Sequence, residues 1–150
     1  MNKDQINQAE ATALKTFTKL IRATETVTAE AHRLLPESGL TISQFGVLEA
    51  LLHLGPMCQK EIAAKILKST GNITQVIDNL EKRNLVMRKQ NPDDRRYYAI
   101  HLTEKGRHFI STLFPEHAKR IAAAMSCLTE NEQQQLGKLC RKFKPSPNQQ

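Results

Sequence analysis

A short charged segment, residues 91–96 (NPDDRR), restricts the possible folds of this chain more than any other feature. Its Asn, Pro and Asp residues favour a turn, and its four consecutive charged side chains cannot be absorbed by a core. The segments on either side, 85–89 and 97–102, have the composition of short strands. The sequence therefore predicts a two-stranded hairpin with an exposed, charged tip.

Three helices are predicted before the hairpin. Ser43 is expected to cap the first, which ends at 55–56, and the second is a short helix over 59–67. The third begins near Ser69 or Thr70, and its apolar residues at i, i+3, i+4 and i+7 predict a buried stripe of Ile73, Val76, Ile77 and Leu80. Its other face is polar and consists of Asn72, Thr74, Gln75, Asp78, Asn79, Lys82 and Arg83.

Long helices are predicted at both ends of the chain. Residues 4–32 contain neither Gly nor Pro and have apolar residues close to helical spacing, so one helix is expected there. Pro36 disfavours helix at Leu35, which should stop it. After the hairpin, a helix over 103–126 is expected to bend near Pro115. A further helix follows, opened by the capping-box residues Thr129 and Glu132.

The size and composition of the chain fit one domain that needs a partner subunit. A chain of 150 residues with 39% hydrophobic residues and no Trp builds only a modest core. We therefore expect a single domain over 1–144, with a central lobe at 40–102, dimerisation helices at 1–35 and 103–144, and a disordered tail at 145–150. The apolar faces expected in the homodimer include Leu14, Phe17, Leu20, Leu136, Leu139 and Phe143.

The charge of the chain favours acidic partners. The net charge is +7, and residues 59–108 hold eleven basic and six acidic groups. This distribution points to a polyanion bound by the middle of the chain, and the alternative is that the charges form solvated helix faces. The sequence contains no recognisable secretion signal and no apolar run of membrane-spanning length, so we expect a cytoplasmic protein without a membrane partner.

Residues with metal, redox or catalytic chemistry are scattered. The three cysteines, Cys58, Cys127 and Cys140, are widely spaced and predict free thiols. The five histidines, which are His32, His53, His101, His108 and His117, lack the spacing of metal ligands and are interpreted as surface or packed residues. The six glycines form no phosphate-binding loop, so neither an enzyme nor a bound cofactor is expected.

The order helix, short helix, turn, helix and hairpin is that of a winged helix-turn-helix, a mainly α fold with a small β-wing. The helix-turn-helix consists of the short helix and the helix after it, and this motif places the latter, which begins near Ser69 or Thr70, in the major groove of DNA. The side chains expected to contact DNA are short and polar: Ser69, Thr70, Asn72, Thr74 and Gln75. Asn and Gln pair with adenine, and Ser and Thr reach bases or phosphates. Ser69 or Thr70 also serves as the helix cap, which is compatible with DNA contact.

The hairpin tip carries a second predicted contact with DNA. Arg95 and Arg96 are arginines of the kind that enter the narrow minor groove, where the potential is most negative, and Asp94 is expected to orient the guanidinium. The alternative is a solvated surface ion pair. The helix-turn-helix before the hairpin favours DNA binding.

Asp94-Arg95-Arg96 followed by Leu102-Thr103-x-x-Gly106 resembles the wing signature of the MarR (multiple antibiotic resistance regulator) transcription factors. The resemblance is strongest over about 40–110, and the flanking helices agree in number and length. It implies a homodimer with interlocked terminal helices on a palindromic operator in double-stranded DNA, with Arg96 in the minor groove. It also implies a repressor relieved by phenolic or other aromatic ligands, as in many members of the family, or by oxidation, as in some.

The resemblance implies two ways of relieving repression. Segments 55–59 (GPMCQ) and 71–74 (GNIT) resemble a branch associated with quinone and hydroquinone stress. Cys58 begins the short helix, where unpaired amides favour a thiolate that reacts with electrophiles, and the alternative is a plain capping residue. A reversible aromatic ligand would instead occupy the cleft near His32 and Phe45. The chain lacks a cysteine in its first helix, so the mechanism of peroxide-sensing relatives does not transfer. The remaining functional alternative is a winged-helix module that binds protein or RNA without operator specificity.

Overall fold

The structure, a computed structural model, describes residues 6–66 and 70–144, apart from the side chains of Thr70 and Gly71. The mainly helical fold with a small sheet is confirmed. The elements in this part of the chain are α1 (Gln8–Ala31), α2 (Leu35–Ser38), α3 (Ile42–Leu54), α4 (Gln59–Lys65), α5 (Thr70–Lys82), β1 (Val86–Gln90), β2 (Tyr98–Leu102), α6 (Glu104–Met125) and α7 (Glu130–Cys140).

The first helix begins later than predicted because of a reciprocal cap. The Asn7 side chain accepts the N–H of Glu10 at 2.9 Å, and the Glu10 carboxylate accepts the N–H of Asn7 at 2.7 Å. Residues 1–5 lie outside the described part. The helix ends at Ala31, one residue before its predicted end. The expectation that Leu35 is not helical is wrong, because Leu35 opens α2 and proline is tolerated in a first turn whose N–H groups lack helical partners. Gly39, at φ 68°, ends that turn in the left-handed region.

Thr41 caps α3, and the prediction of Ser43 is wrong. The Thr41 hydroxyl accepts the N–H of Gln44 at 3.2 Å, and the Gln44 side chain accepts the N–H of Thr41 at 3.0 Å. Ser43 lies inside the first turn. Only Thr41 has a glutamine three residues later that can return the hydrogen bond, which is the reason it begins the helix. The short helix α4 ends at Lys65, and Leu67, where it was expected to end, lies outside the described residues.

The apolar stripe of α5 holds this helix in the core. Ile73, Ile77 and Leu80 have no exposed surface, and Val76 is partly buried, as predicted. Burial of such a side chain contributes about 1.5–3 kcal/mol relative to leaving it exposed. The opposite, polar face of α5 must then point to solvent. The core around the stripe includes Phe45, Val47, Leu48, Leu51, Ile62, Leu85, Val86, Ile100 and Ile110.

The two strands form the predicted hairpin, each starting one residue later than expected. They pair antiparallel, with Val86 opposite Leu102 and Gln90 opposite Tyr98. The Ile100 N–H donates to the Met57 carbonyl at 2.9 Å. The wing is therefore attached, through the middle of β2, to the segment that leads into α4.

The last two helices, α6 and α7, lie close to their predicted positions. Pro115 lies inside the continuous span of α6, and Thr129 and Glu132 form the predicted capping box of α7. The tail at 145–150 lies outside the described residues. None of the helices in 6–66 or 70–144 has both the length and the apolarity needed to cross a bilayer.

Gly106 allows the start of α6 to pack directly on the turn before the wing. A Cβ at this position would lie 1.9 Å from the Leu85 carbonyl oxygen, which is a backbone atom and cannot move aside cheaply. We therefore expect Gly106→Ala to lower the free energy of unfolding by about 1–3 kcal/mol, measured by urea denaturation. Gly137→Ala in α7 is the control, because a Cβ there meets nothing within 4 Å. Equal urea midpoints for Gly106→Ala and the unmodified protein would contradict this account.

Candidate nucleic-acid interface

Three of the predicted DNA-contacting side chains lie together on the polar face of α5. Asn72, Thr74 and Gln75 are exposed, opposite the buried stripe of the same helix. Thr70 is the first residue of α5, but its side chain lies outside the described part, as does the whole of Ser69. The first turns of α5 thus present amide and hydroxyl groups, which are the groups that pair with base edges.

Hydrogen bonds within the protein orient two of these side chains. The Gln75 Nε2 group donates to Asn79 Oδ1 at 3.1 Å. The Gln59 Nε2 group, at the start of α4, donates to the Thr74 hydroxyl at 3.0 Å. Side chains that are already held lose less conformational entropy when they form a contact. The polar face of α5 is in this sense arranged before any ligand binds.

Arg83 does not belong to this face, and its assignment there is wrong. Its Nη1 group donates to the Gly39 carbonyl at 2.8 Å, and its guanidinium lies 5.7 Å from the centre of the Phe109 ring. Arginine satisfies a carbonyl and stacks on an aromatic ring with the same planar group, which accounts for this position. Arg83 therefore connects α5 to the loop before α3 and to α6.

The wing tip contains a pair of charged side chains with a defined geometry. Arg96 donates from Nε to Asp94 Oδ1 at 3.1 Å and from Nη2 to Oδ2 at 3.0 Å. The Arg96 side chain is 85% exposed and that of Asp94 is 32% exposed. These hydrogen bonds lower the pKa of Asp94 and raise that of Arg96, so both are charged at neutral pH. Arg95 is also exposed, and its carbonyl accepts from Gln90 Nε2 at 2.7 Å.

A further arginine, Arg88 of β1, connects the wing to α5, and it was not among the residues predicted from the sequence. The Arg88 Nη1 group donates to Glu81 Oε1 at 2.8 Å, and Nη2 donates to Asp78 Oδ1. Nη2 also reaches Gln59 Oε1 at 3.3 Å. The only sequence signal for this cluster is the presence of two carboxylates late on the outward face of α5, with a basic residue in the following strand.

His32 and Phe45 line one cavity of about 660 Å³ between α1, α3, α6 and the end of α4. Sequence reasoning missed three polar side chains on its wall, Glu49, His53 and His117. No pattern within one helix reveals these side chains, because the cavity is formed where four helices pack together.

The histidines of this cavity differ in their environment. His117 is buried, its Nδ1 lies 3.0 Å from the Ala31 carbonyl, and its ring centre lies 4.5 Å from that of Phe45. A carbonyl oxygen can only accept, so Nδ1 carries the proton and donates. Burial lowers the pKa of His32, the neighbouring His117 lowers it further, and Glu49 acts weakly in the opposite direction. His32 is therefore neutral at pH 7.

The three thiols are free, and Cys58 is the N-cap of α4. Its N–H donates to the Glu61 carboxylate at 2.8 Å, which is one half of a capping box. Cys58 is partly exposed and lines a separate cavity of about 320 Å³ together with Tyr97 and Tyr98. Among the described residues, no three His, Cys, Asp or Glu side chains are grouped as ligands for a metal ion.

Comparison with known proteins identifies the class. A sequence model of the MarR family matches residues 40–98. The chain is 36% identical to the uncharacterized HTH-type transcriptional regulator YkoM of Bacillus subtilis (strain 168), over 94% of this chain and 89% of that protein. It is 38% identical to the HTH-type transcriptional regulator MhqR of the same organism, over 80% of this chain and 83% of MhqR.

A solved structure agrees with this assignment. The structure of Bordetella bronchiseptica BpsR matches with a TM-score of 0.74 and 27% identity, over 83% of this chain and 89% of that one. The DNA binding of BpsR is regulated by 6-hydroxynicotinic acid. The fold and the relatives define a DNA-binding transcription regulator and not an enzyme. The chain belongs to the MarR family. Proteins of this family bind DNA as dimers.

Proposed function

We propose that the protein is a sequence-specific repressor that binds a palindromic operator as a homodimer. The central lobe, 40–102, binds the DNA, and the helices at 1–35 and 103–144 form the dimer. The observation that carries the proposal is that α5 presents an exposed amide and hydroxyl face while the adjacent wing presents Arg96 held by Asp94. The first arrangement suits base edges in the major groove, and the second suits the minor groove.

The experiment that tests this function is selection of bound fragments from genomic DNA. We expect a recurring palindrome with half-sites about one helical turn apart, roughly 10–10.5 bp, because a two-fold dimer meets the same groove face at that interval. Recovery of no common sequence, or equal binding to RNA of unrelated sequence, would favour the alternative, a winged-helix module without operator specificity.

Gln75→Ala is expected to relax base preference at one position in each half-site. A bidentate amide contact discriminates against the wrong base by about 1–3 kcal/mol, and the variant should lose this discrimination while retaining phosphate contacts. Binding to single-substitution operators measures the effect. Gln134→Ala is the matched control, because Gln134 is an exposed glutamine that donates within α7 to Glu130. Unchanged discrimination at every operator position in Gln75→Ala would remove Gln75 from the interface.

The proposal extends to an effector, a small aromatic compound with a hydroxyl or acid group, bound in the cavity of His32 and Phe45. Phe45 supplies an aromatic wall, and neutral His32 supplies a hydrogen-bonding group beside Glu49. Pockets of several hundred Å³ with apolar walls and a few polar groups suit such ligands. The DNA binding of BpsR is regulated by 6-hydroxynicotinic acid, which is a ligand of this kind.

Hydroquinone under anaerobic, reducing conditions is the probe for this site. We expect it to release the operator, and we expect His32→Leu to need about tenfold more hydroquinone, since one hydrogen bond contributes roughly 1 kcal/mol or somewhat more. His108→Leu, an exposed histidine of α6 outside the cavity, is the control. Equal sensitivity of His32→Leu and the unmodified protein would count against the cavity.

A thiol route through Cys58 is the competing account of induction. In that account benzoquinone adds to Cys58, and Cys58→Ser, which keeps a capping hydroxyl, no longer releases its operator. Release from Cys58→Ser at the same benzoquinone concentration, with no adduct on the Cys58 peptide of the unmodified protein, would leave the reversible ligand as the explanation.

A further inference from the structure

The wing, α4 and α5 are connected through one guanidinium group. The Arg88 side chain is 24% exposed and donates to Glu81 and Asp78 on α5 and to Gln59 on α4. The backbone N–H of Arg88 also donates to Glu81 Oε2 at 3.2 Å. The planar, multiply donating fork of arginine suits such a bridging position, whereas a lysine ammonium lacks this geometry.

The connection extends to the polar face of α5. Gln59 accepts from Arg88 through Oε1 and donates through Nε2 to the Thr74 hydroxyl at 3.0 Å. The amide of Gln59 is thereby held at both ends. Arg88 in the wing is linked by this route to the Thr74 side chain in the first turns of α5.

Arg88 also balances negative charge next to the polar face. Asp78 and Glu81 are each about two-fifths exposed, at 41% and 42%, and belong to the helix that would lie in the major groove. Carboxylates without a cationic partner would be repelled by DNA phosphates. The Arg88 guanidinium donates from one Nη group to each carboxylate, which compensates this charge and fixes where the carboxylates lie.

We infer that Arg88 is a positioning residue for operator recognition: it acts through Asp78, Glu81 and Gln59 to hold α5 and the wing in one arrangement, and it does not itself contact DNA. The inference rests on the proposed function and assigns to it a residue outside the predicted contact set. Both of its Nη groups already donate within the protein and its side chain is 24% exposed, which separates Arg88 from Arg96 at 85%.

The test compares Arg88→Met with Lys89→Met, which removes the same charge from the next residue of β1, on the other side of the strand. Arg88→Met is expected to bind the operator about tenfold more weakly, while Lys89→Met changes affinity by less than about threefold, and equal losses in the two variants would overturn the inference. In a protein that also carries Asp78→Asn and Glu81→Gln, where these carboxylates are absent, Arg88→Met should leave the slope of log affinity against log salt unchanged. A slope reduced by about one per protomer in that protein would show a phosphate contact and overturn the inference.

A double-mutant cycle tests whether Arg88 acts through the carboxylates. In the Asp78→Asn, Glu81→Gln background, the loss caused by Arg88→Met is expected to shrink to less than about threefold. An undiminished loss in that background would overturn the inference. Arg88→Lys, which retains the charge without the fork, is expected to fall between the unmodified protein and Arg88→Met, and it serves as the second variant if Arg88→Met proves unfolded by circular dichroism.

The outcomes separate this inference from the proposed function. Absence of any selected operator for the unmodified protein would refute the proposed function. A selected operator that Arg88→Met binds as tightly as the unmodified protein would refute only the role of Arg88.

Discussion

A chain ending at Thr129 is expected to be monomeric and to bind the operator at least about a hundredfold more weakly than the full chain. In a dimer, the second half-site binds intramolecularly, and this advantage is lost with the partner subunit. The segment that is removed contains α7, which has no buried residue in the protomer, and it carries the exposed apolar residues Leu136, Leu139 and Phe143. Light scattering and operator titration measure the two effects.

The exposed apolar residues of α1 allow a test that leaves the chain intact. Phe17 is 60% exposed, and Leu14 and Ile21 lie on the same helix with similar exposure. Phe17→Glu places a charge in the expected interface and should dissociate the dimer, because an unpaired charge is costly to bury. Lys19→Glu, on the opposite side of α1, should leave the dimer intact. Light scattering that finds Phe17→Glu and the truncated chain both dimeric would contradict the assigned interface.

The fold could be predicted from sequence where one element alone carries the signal. The stripe Ile73, Ile77 and Leu80 is periodic, so it identified both the helix and the side buried against the core. The charged tip at 91–96 located the hairpin to within one residue at each strand start. The cap of α3 was missed although its signal was present, because Thr41 was not read together with Gln44.

Contacts between residues that are distant in sequence could not be predicted from the pattern of a single element. Arg83 lies 44 residues from Gly39 in sequence, and helical periodicity alone placed it on the outward face. Asn84 adopts φ 58°, and its carbonyl accepts from the Thr103 hydroxyl at 2.7 Å. No sequence pattern around Asn84 predicts its left-handed backbone conformation, although Asn tolerates this conformation better than most residues.

Some residues of the proposed site could be predicted from a single helix, and others depend on the packing of several elements. Asn72, Thr74 and Gln75 follow from the helical period, because they lie opposite a buried stripe. Arg88 and His117 depend on side chains that come together only when several elements pack. Sequence therefore indicates which residues of α5 face solvent, whereas the structure is needed to find Arg88, which donates to α5, and His117, which lines the cavity.

Arg96→Ala is expected to weaken operator binding by about 1–3 kcal/mol for each wing, and a dimer presents two wings. The Asp94 carboxylate accepts from Nε and Nη2, which leaves the donors on Nη1 for acceptors in the minor groove. The exposed guanidinium is held on the wing before DNA arrives, so little rotamer entropy remains to be lost on binding. Operator titration at physiological salt measures the loss.

Three further variants separate the geometry of this contact from its charge. Arg95→Ala removes the same charge from the neighbouring exposed residue and should lose less affinity than Arg96→Ala. Arg96→Lys keeps the charge without the fork, and Asp94→Asn keeps the arginine but removes the ionic partner, so both should lie between Arg96→Ala and the unmodified protein. An Arg96→Ala protein that binds its operator as tightly as the unmodified one would mean that the wing does not enter the minor groove. The Asp94–Arg96 pair would then be only a surface ion pair of the free protein, since such exposed pairs contribute little to stability and need no ligand to account for them.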